Sequence, residues 1–170
     1  MSQTPSQLAV SIDPRGVATV TIQRPDVHNA FDEALIDTMT QAFADLGRDA
    51  QVRLVVLQSQ GKSFCAGADI GWMQRAAANG FDDNLADAQR FAGLMATIAN
   101  CPKPVIAKVQ GAAYGGGVGL ICAADIAVAS DQARFTVSEA RFGIIPSVIG
   151  PYVINAIGPR QARRLALSCE

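Results

Sequence analysis

Leu54-Val55-Val56-Leu57 is four apolar residues in a row, held between Arg53 and Gln58. A strand sends successive side chains to opposite faces, so a run without alternation needs cover on both. Four residues are too few for a helix. The run therefore predicts a parallel strand over residues 54–58, inside a sheet covered by helices, which directs the chain to an α/β architecture.

The other elements agree. Residues 8–13 and 17–23 read as two strands around a Pro14-Arg15-Gly16 turn. Beyond the breaker stretch Arg24-Pro25-Asp26-Val27-His28-Asn29, the residues Leu35, Ile36, Met39, Phe43 and Leu46 recur at helical spacing. A polar, Gly-containing loop follows residue 58. Ala88, Phe91, Ala92, Met95 and Ile98 mark a helix over about residues 85–99, which Pro102 and Pro104 stop before a strand over 105–109. A glycine run then opens a short apolar helix to about residue 124, and strands follow at 126–129 and 134–138. The end is helical from residue 152, broken at Gly158-Pro159. Strand-strand-helix recurs about four times without a linker or low-complexity tract, so residues 1–170 read as one domain.

Composition narrows the function classes. Fourteen Lys and Arg balance 15 Asp and Glu for a net charge of −1, and no basic run exists, which argues against a nucleic-acid partner. With 49% apolar residues the chain is not disordered. No apolar stretch approaches the roughly 20 residues a membrane span needs. Residues 1–13 carry neither the basic nor the apolar region of a secretory leader. The expectation is a soluble, cytoplasmic protein without a membrane partner. Cys65, Cys101, Cys122 and Cys169 are scattered, with no CxxC pair, and read as small buried thiols. His28 is the only histidine, so no metal site is expected.

Three segments could carry chemistry. Gly115-Gly116-Gly117-Val118-Gly119 precedes a helix although each interior glycine costs about 1 kcal/mol against Ala. Such a run permits close packing or leaves N–H groups aimed outward at a helix start, and its spacing matches neither GxxxxGK[ST] nor GxGxxG. In Ala66-Gly67-Ala68-Asp69, Asp69 suits an N-cap, and the small residues leave amides open. Two such turns, each at a helix start, could point N–H groups at one oxygen, the construction of an oxyanion hole. Glu139 ends the apolar strand residues Phe135-Thr136-Val137 and is either paired with Arg141 or engaged in acid/base chemistry.

These residues together resemble the crotonase, or enoyl-CoA hydratase/isomerase, superfamily. The resemblance rests on Arg24 through Phe31, Ala66-Gly67-Ala68-Asp69, and Gly111-Ala112-Ala113-Tyr114-Gly115-Gly116-Gly117. Asp125 ahead of Ile126-Ala127-Val128-Ala129 and Glu139 ahead of Gly143-Ile144-Ile145-Pro146 extend it. It implies a ClpP/crotonase-like spiral of ββα repeats. It also implies that the amides of Ala68 and Gly116 hold the thioester oxygen of an acyl-CoA, while Val27, His28, Ala30 and Ala66 line the CoA channel. Asp69, Ile70 and Gly119 join the substrate-binding set. Hydratases of the family hold a water between two glutamates. The second matches Glu139, but Gly119 stands at the first.

Gly116-Gly117-Val118-Gly119-Leu120 with Ser138-Glu139-Ala140-Arg141 is most similar to bacterial methylglutaconyl-CoA and isohexenylglutaconyl-CoA hydratases, and Ser147-Val148-Ile149 replaces the usual glycine run after Ile-Pro. The resemblance implies a lyase that adds water to an α,β-unsaturated, branched acyl-CoA. The alternatives are a one-glutamate Δ3-Δ2-enoyl-CoA isomerase and a non-catalytic acyl-CoA-binding or assembly protein. It implies no cofactor beyond the CoA of the substrate, and a homotrimer or dimer of trimers. Family members are longer, so the expectation here includes a missing C-terminal helical segment.

Overall fold

The first two strands, β1 (Leu8–Ile12) and β2 (Val17–Ile22), pair antiparallel. Their turn is fixed by the Asp13 carboxylate, which accepts from the N–H groups of Arg15 at 2.8 Å and Val17 at 3.1 Å. This is a computed structural model, and it describes residues 6–169. Of residues 1–13, read against a secretory leader, residues 1–5 lie outside that range, as does Glu170.

From β2 onward every pairing is parallel. β3 (Leu54–Ser59) joins β2, then β5 (Val105–Val109) joins β3, and β7 (Ile126–Ala129) closes the five-stranded sheet in the order β1-β2-β3-β5-β7. In register, Ala18 meets Val55, Val20 meets Leu57, and Val55 meets Val105. All of these are buried and build one face into the core. The run read as covered on both faces is fully buried on only this one. Leu54 and Val56 are partly covered, because their side of the sheet also carries Thr19, Thr21 and Gln58.

A second sheet of three short parallel strands holds β4 (Ser63–Cys65), β6 (Ala112–Tyr114) and β8 (Arg134–Thr136). Each of the last three strand pairs thus sends one strand to each sheet. Helices complete the repeats: α1 (Glu33–Arg48), α2 (Ile70–Ala78) with α3 (Phe81–Ala99), α4 (Gly116–Ala123) and α5 (Gly150–Ser168). The four strand-strand-helix units expected from the sequence form the crotonase-type spiral. β4, β6 and α2 are elements the periodicity does not reveal, and α3 starts at Phe81 rather than near residue 85. α5 kinks where expected, at Gly158 (φ 78°) before Pro159. β7 departs from the buried parallel strand in another way. It is the sheet edge, with Ile126 52% and Val128 58% exposed. No helix among the described residues is long and apolar enough to cross a membrane.

Candidate active site

The site begins with the breaker stretch. His28 and Asn29 both take left-handed backbone, with φ of 54° and 57°. Asn29 compensates with three hydrogen bonds while fully buried. Its Nδ2 donates to the carbonyls of Gln60 (2.7 Å) and Ser63 (2.8 Å), and its Oδ1 accepts from Arg24 N–H at 2.9 Å. A buried amide satisfied in this way holds the turn against the loop before β4.

The next residues zip onto the segment after β4. Ala66 N–H donates to the His28 carbonyl at 3.0 Å, Phe31 N–H to Gly67 at 2.9 Å, and Asp69 N–H to Phe31 at 2.9 Å. Asp69 caps α2, as its position in the sequence indicated, accepting from the N–H groups of Gly71 (2.9 Å) and Trp72 (3.3 Å). Arg24 ties the cap down through ion pairs to Asp32 at 3.0 Å and Asp69 at 3.3 Å. Between these bonds the Ala68 N–H donates to no group among the described residues.

The glycine run supplies a second free amide. Gly115 turns the chain from β6 into α4 at φ 50°, a conformation that needs glycine. Gly116 is the first residue of α4, where an N–H has no intrahelical acceptor, and it donates to no described group. A Cβ placed on Gly67 would lie 2.9 Å from the Tyr114 carbonyl and 3.6 Å from the Gly116 nitrogen, so the two turns abut. A Cβ on Gly116 itself would collide with the Phe31 ring, which stacks on Phe91 at 4.7 Å between centroids.

Glu139 opens a short 3-10 turn, Glu139–Phe142, soon after β8. Its Oε1 lies 3.2 Å from where a Cβ on Gly115 would stand, which sets the carboxyl beside the glycine turn. Its Oε2 is buried without a hydrogen-bond partner. Burial pushes this carboxyl above its ordinary range, and the backbone N–H groups of Glu139 and Ser138 offset part of the rise. The ion pair with Arg141 left open by the sequence is not formed: Arg141 donates to the Cys169 carbonyl at 2.7 Å.

The two glycine-alanine turns and Glu139 face one cleft of about 1080 Å³. Val27, His28, Ala30 and Ala66 line it, as do Ala68, Asp69, Ile70, Gly116 and Glu139. Gly119 does not. It lies beneath Ile149, and Ile149 makes the wall. The charged side chains on the lining are Asp26, Asp69 and Glu139, with no Lys or Arg among the described residues there. Trp72 and Phe91 also line it and went unmarked as site residues. So does Ile149, which the sequence marked only as part of the segment replacing the family's glycine run. Phe91 carried only the signal of a core helix face. Burial raises the thiols of Cys65 to about 12 and Cys122 to about 11, which keeps them protonated. Among the described residues no group of three or more His, Cys, Asp or Glu could hold a metal ion.

Residues 13–170 match the enoyl-CoA hydratase/isomerase family. A crystal structure of an enoyl-CoA hydratase from Shewanella pealeana superposes with a TM-score of 0.95 and 46% identity, over 99% of this chain and 63% of that one. A trans-2-decenoyl-[acyl-carrier-protein] isomerase of Streptococcus mutans is 32% identical over 91% of this chain and 60% of its own. An enoyl-CoA hydratase of Alternaria alternata is 31% identical over 91% of this chain and 50% of its own. The chain thus spans between half and two-thirds of these relatives' length. With the spiral fold, and with such a match across most of its residues, it belongs to the enoyl-CoA hydratase/isomerase, or crotonase, family.

Proposed function

We propose that the chain is a hydratase-type lyase acting on an α,β-unsaturated acyl-CoA with an apolar, branched acyl chain. One observation carries the reading: two unpartnered amides, Ala68 and Gly116, open into the same cleft as a buried carboxyl with a bare oxygen, Glu139. In this reading the thioester oxygen accepts from both N–H groups. Glu139 takes a proton from the water that bonds to the β-carbon. The electrons of the double bond move onto the thioester oxygen as an enolate, which the amides stabilise, and the α-carbon then takes a proton back. One oxyanion donor is worth on the order of 10²–10³ in rate, and positioned acid/base catalysis roughly 10²–10⁴. The amides supply the electrophile, so no cofactor beyond the CoA of the substrate is proposed. A homotrimer or dimer of trimers is proposed from the family likeness.

A second reading is favoured by Gly119, which has no side chain and is covered by Ile149. Glu139 alone would move a proton from one carbon to another, isomerising a 3-enoyl to a 2-enoyl thioester. Absorbance of the conjugated thioester separates the two. Loss on feeding 2-enoyl-CoA supports hydration, and a rise on feeding 3-enoyl-CoA supports isomerisation. Tight binding of thioesters with neither change overturns both and leaves an acyl-CoA-binding or assembly protein.

A further inference from the structure

Gly119 lies three residues beyond Gly116 on α4. Residues at that spacing share a helix face, about 4.5 Å apart along the axis. The position therefore sits about one turn along the helix from the Gly116 amide, on the same side. A Cβ there would collide with Cγ2 of Ile149, stand 3.0 Å from its Cβ, and come within 3.4 Å of Met95 Sδ. Ile149 is 2% exposed, yet its atoms form part of the cleft wall. It also precedes α5, where its carbonyl accepts the Val153 N–H at 3.0 Å, so its backbone is fixed. The side chain is a wedge held between Gly119 of α4 and the cleft that Glu139 also lines.

We propose that Ile149, seated on Gly119, is the specificity-determining residue that sets the acyl volume accepted beside Glu139. The proposal rests on the acyl-thioester reading of the cleft. A methyl at position 119 has nowhere to go except by driving Ile149 into the cavity. Truncating Ile149 opens the cavity down to α4 and Met95. Only the pair together keeps the wall where it is. The same contact leaves no room for a longer side chain, a carboxylate included, at position 119.

Equilibrium binding of saturated thioesters tests this without requiring turnover. The probes are butyryl-CoA, isovaleryl-CoA and octanoyl-CoA, on the full chain, with folding checked by circular dichroism. Ile149→Ala is expected to shift the octanoyl-to-butyryl affinity ratio toward octanoyl by about tenfold or more, the low end of what methylenes are worth in an apolar pocket. Gly119→Ala is expected to shift it the other way, and the double variant to fall short of the sum, since contacting residues are not additive. Ile149→Leu guards against loss of fold, because it keeps the volume but removes the Cγ2 branch. Gly119→Ala is expected to be milder in that background. A ratio unchanged by Ile149→Ala overturns the proposal. So does a Gly119→Ala effect of equal size in the Ile149→Leu background and in the otherwise wild-type chain. Failure of the folded wild-type chain to bind any of the three thioesters overturns the thioester reading, and the proposal falls with it.

Discussion

Glu139 keeps one oxygen out of water with nothing to donate to it, an arrangement that a purely structural carboxylate has no reason to retain. Its folded pKa is raised by burial, so between the unfolded and folded values the folded chain holds the proton more tightly. Stability contributed by this group is therefore present at low pH and lost as pH rises through that window. Glu139→Gln should consequently raise Tm slightly at neutral pH, with the gain vanishing below the ordinary glutamate range near 4.5. The same variant should lower kcat by roughly 10²–10⁴ and leave thioester affinity nearly intact, since in the proposed function backbone amides bind the oxygen. As a base, Glu139 must be ionised, so wild-type kcat should fall with acidification at a pH above that of an ordinary glutamate. A Gln variant with wild-type kcat, in steady-state assays, would end the assignment.

The elements that position the site are held by small and specific contacts. Asp69 caps α2 and pairs with Arg24, and both hold the segment that presents the Ala68 amide. Asp69→Ala should cost about 1 kcal/mol in denaturant unfolding and reduce kcat more than it raises KM, whereas Asp69→Asn should keep most of the stability. Gly116→Ala forces a methyl into the Phe31 ring. It should cost about 1–3 kcal/mol and lower kcat by at least the worth of one oxyanion donor, roughly 10²–10³. A Gly116→Ala chain with wild-type Tm and kcat would show that the turn is not where the oxygen binds. Much at this scale was legible in the residues. The amphipathic face of α1, the Asp69 cap and the proline stops all signal locally. β4 and β6 are different: Ser63–Cys65 and Ala112–Tyr114 are three residues each, too short for a period and poor in β-branched types. They are strands because each pairs parallel with a neighbour in the second sheet, β4 on β6 across a register shift between Ser63 and Cys65 and β6 on β8 without one, which is tertiary information. The Gly119–Ile149 contact was hidden for the same reason, since it joins positions far apart in sequence. A glutamate placed at Gly119 finds its space occupied.

Across the whole molecule, charge is nearly balanced, but the cleft is not: its charged lining is Asp26, Asp69 and Glu139. Asp69 is offset by Arg24, while Glu139 has no cation beside it on the lining. The glutaconyl-type resemblance read from the sequence alone would imply a substrate with a second carboxylate, and the cleft walls argue otherwise. Phe142, Ile144, Ile145, Pro146, Val148 and Ile149 are apolar, and Ser138 and Ser147, the other lining residues of that stretch besides Glu139, are uncharged. A substrate carboxylate among them would lose water and meet a like charge, at an energy that grows as the local dielectric falls. An uncharged branched 2-enoyl-CoA should therefore exceed its glutaconyl analogue in kcat/KM by about tenfold or more, which corresponds to about 1.4 kcal/mol. Raising the ionic strength should narrow the gap, because Ile145 is 77% exposed and the repulsion is partly screened there. Glu139→Gln should narrow it in binding, since the like charge is then gone. Side-by-side kinetics with the two thioesters decide the matter. If the glutaconyl thioester is preferred at every salt concentration, the acyl end must receive a cation that these walls do not contain, and the uncharged-acyl reading is overturned.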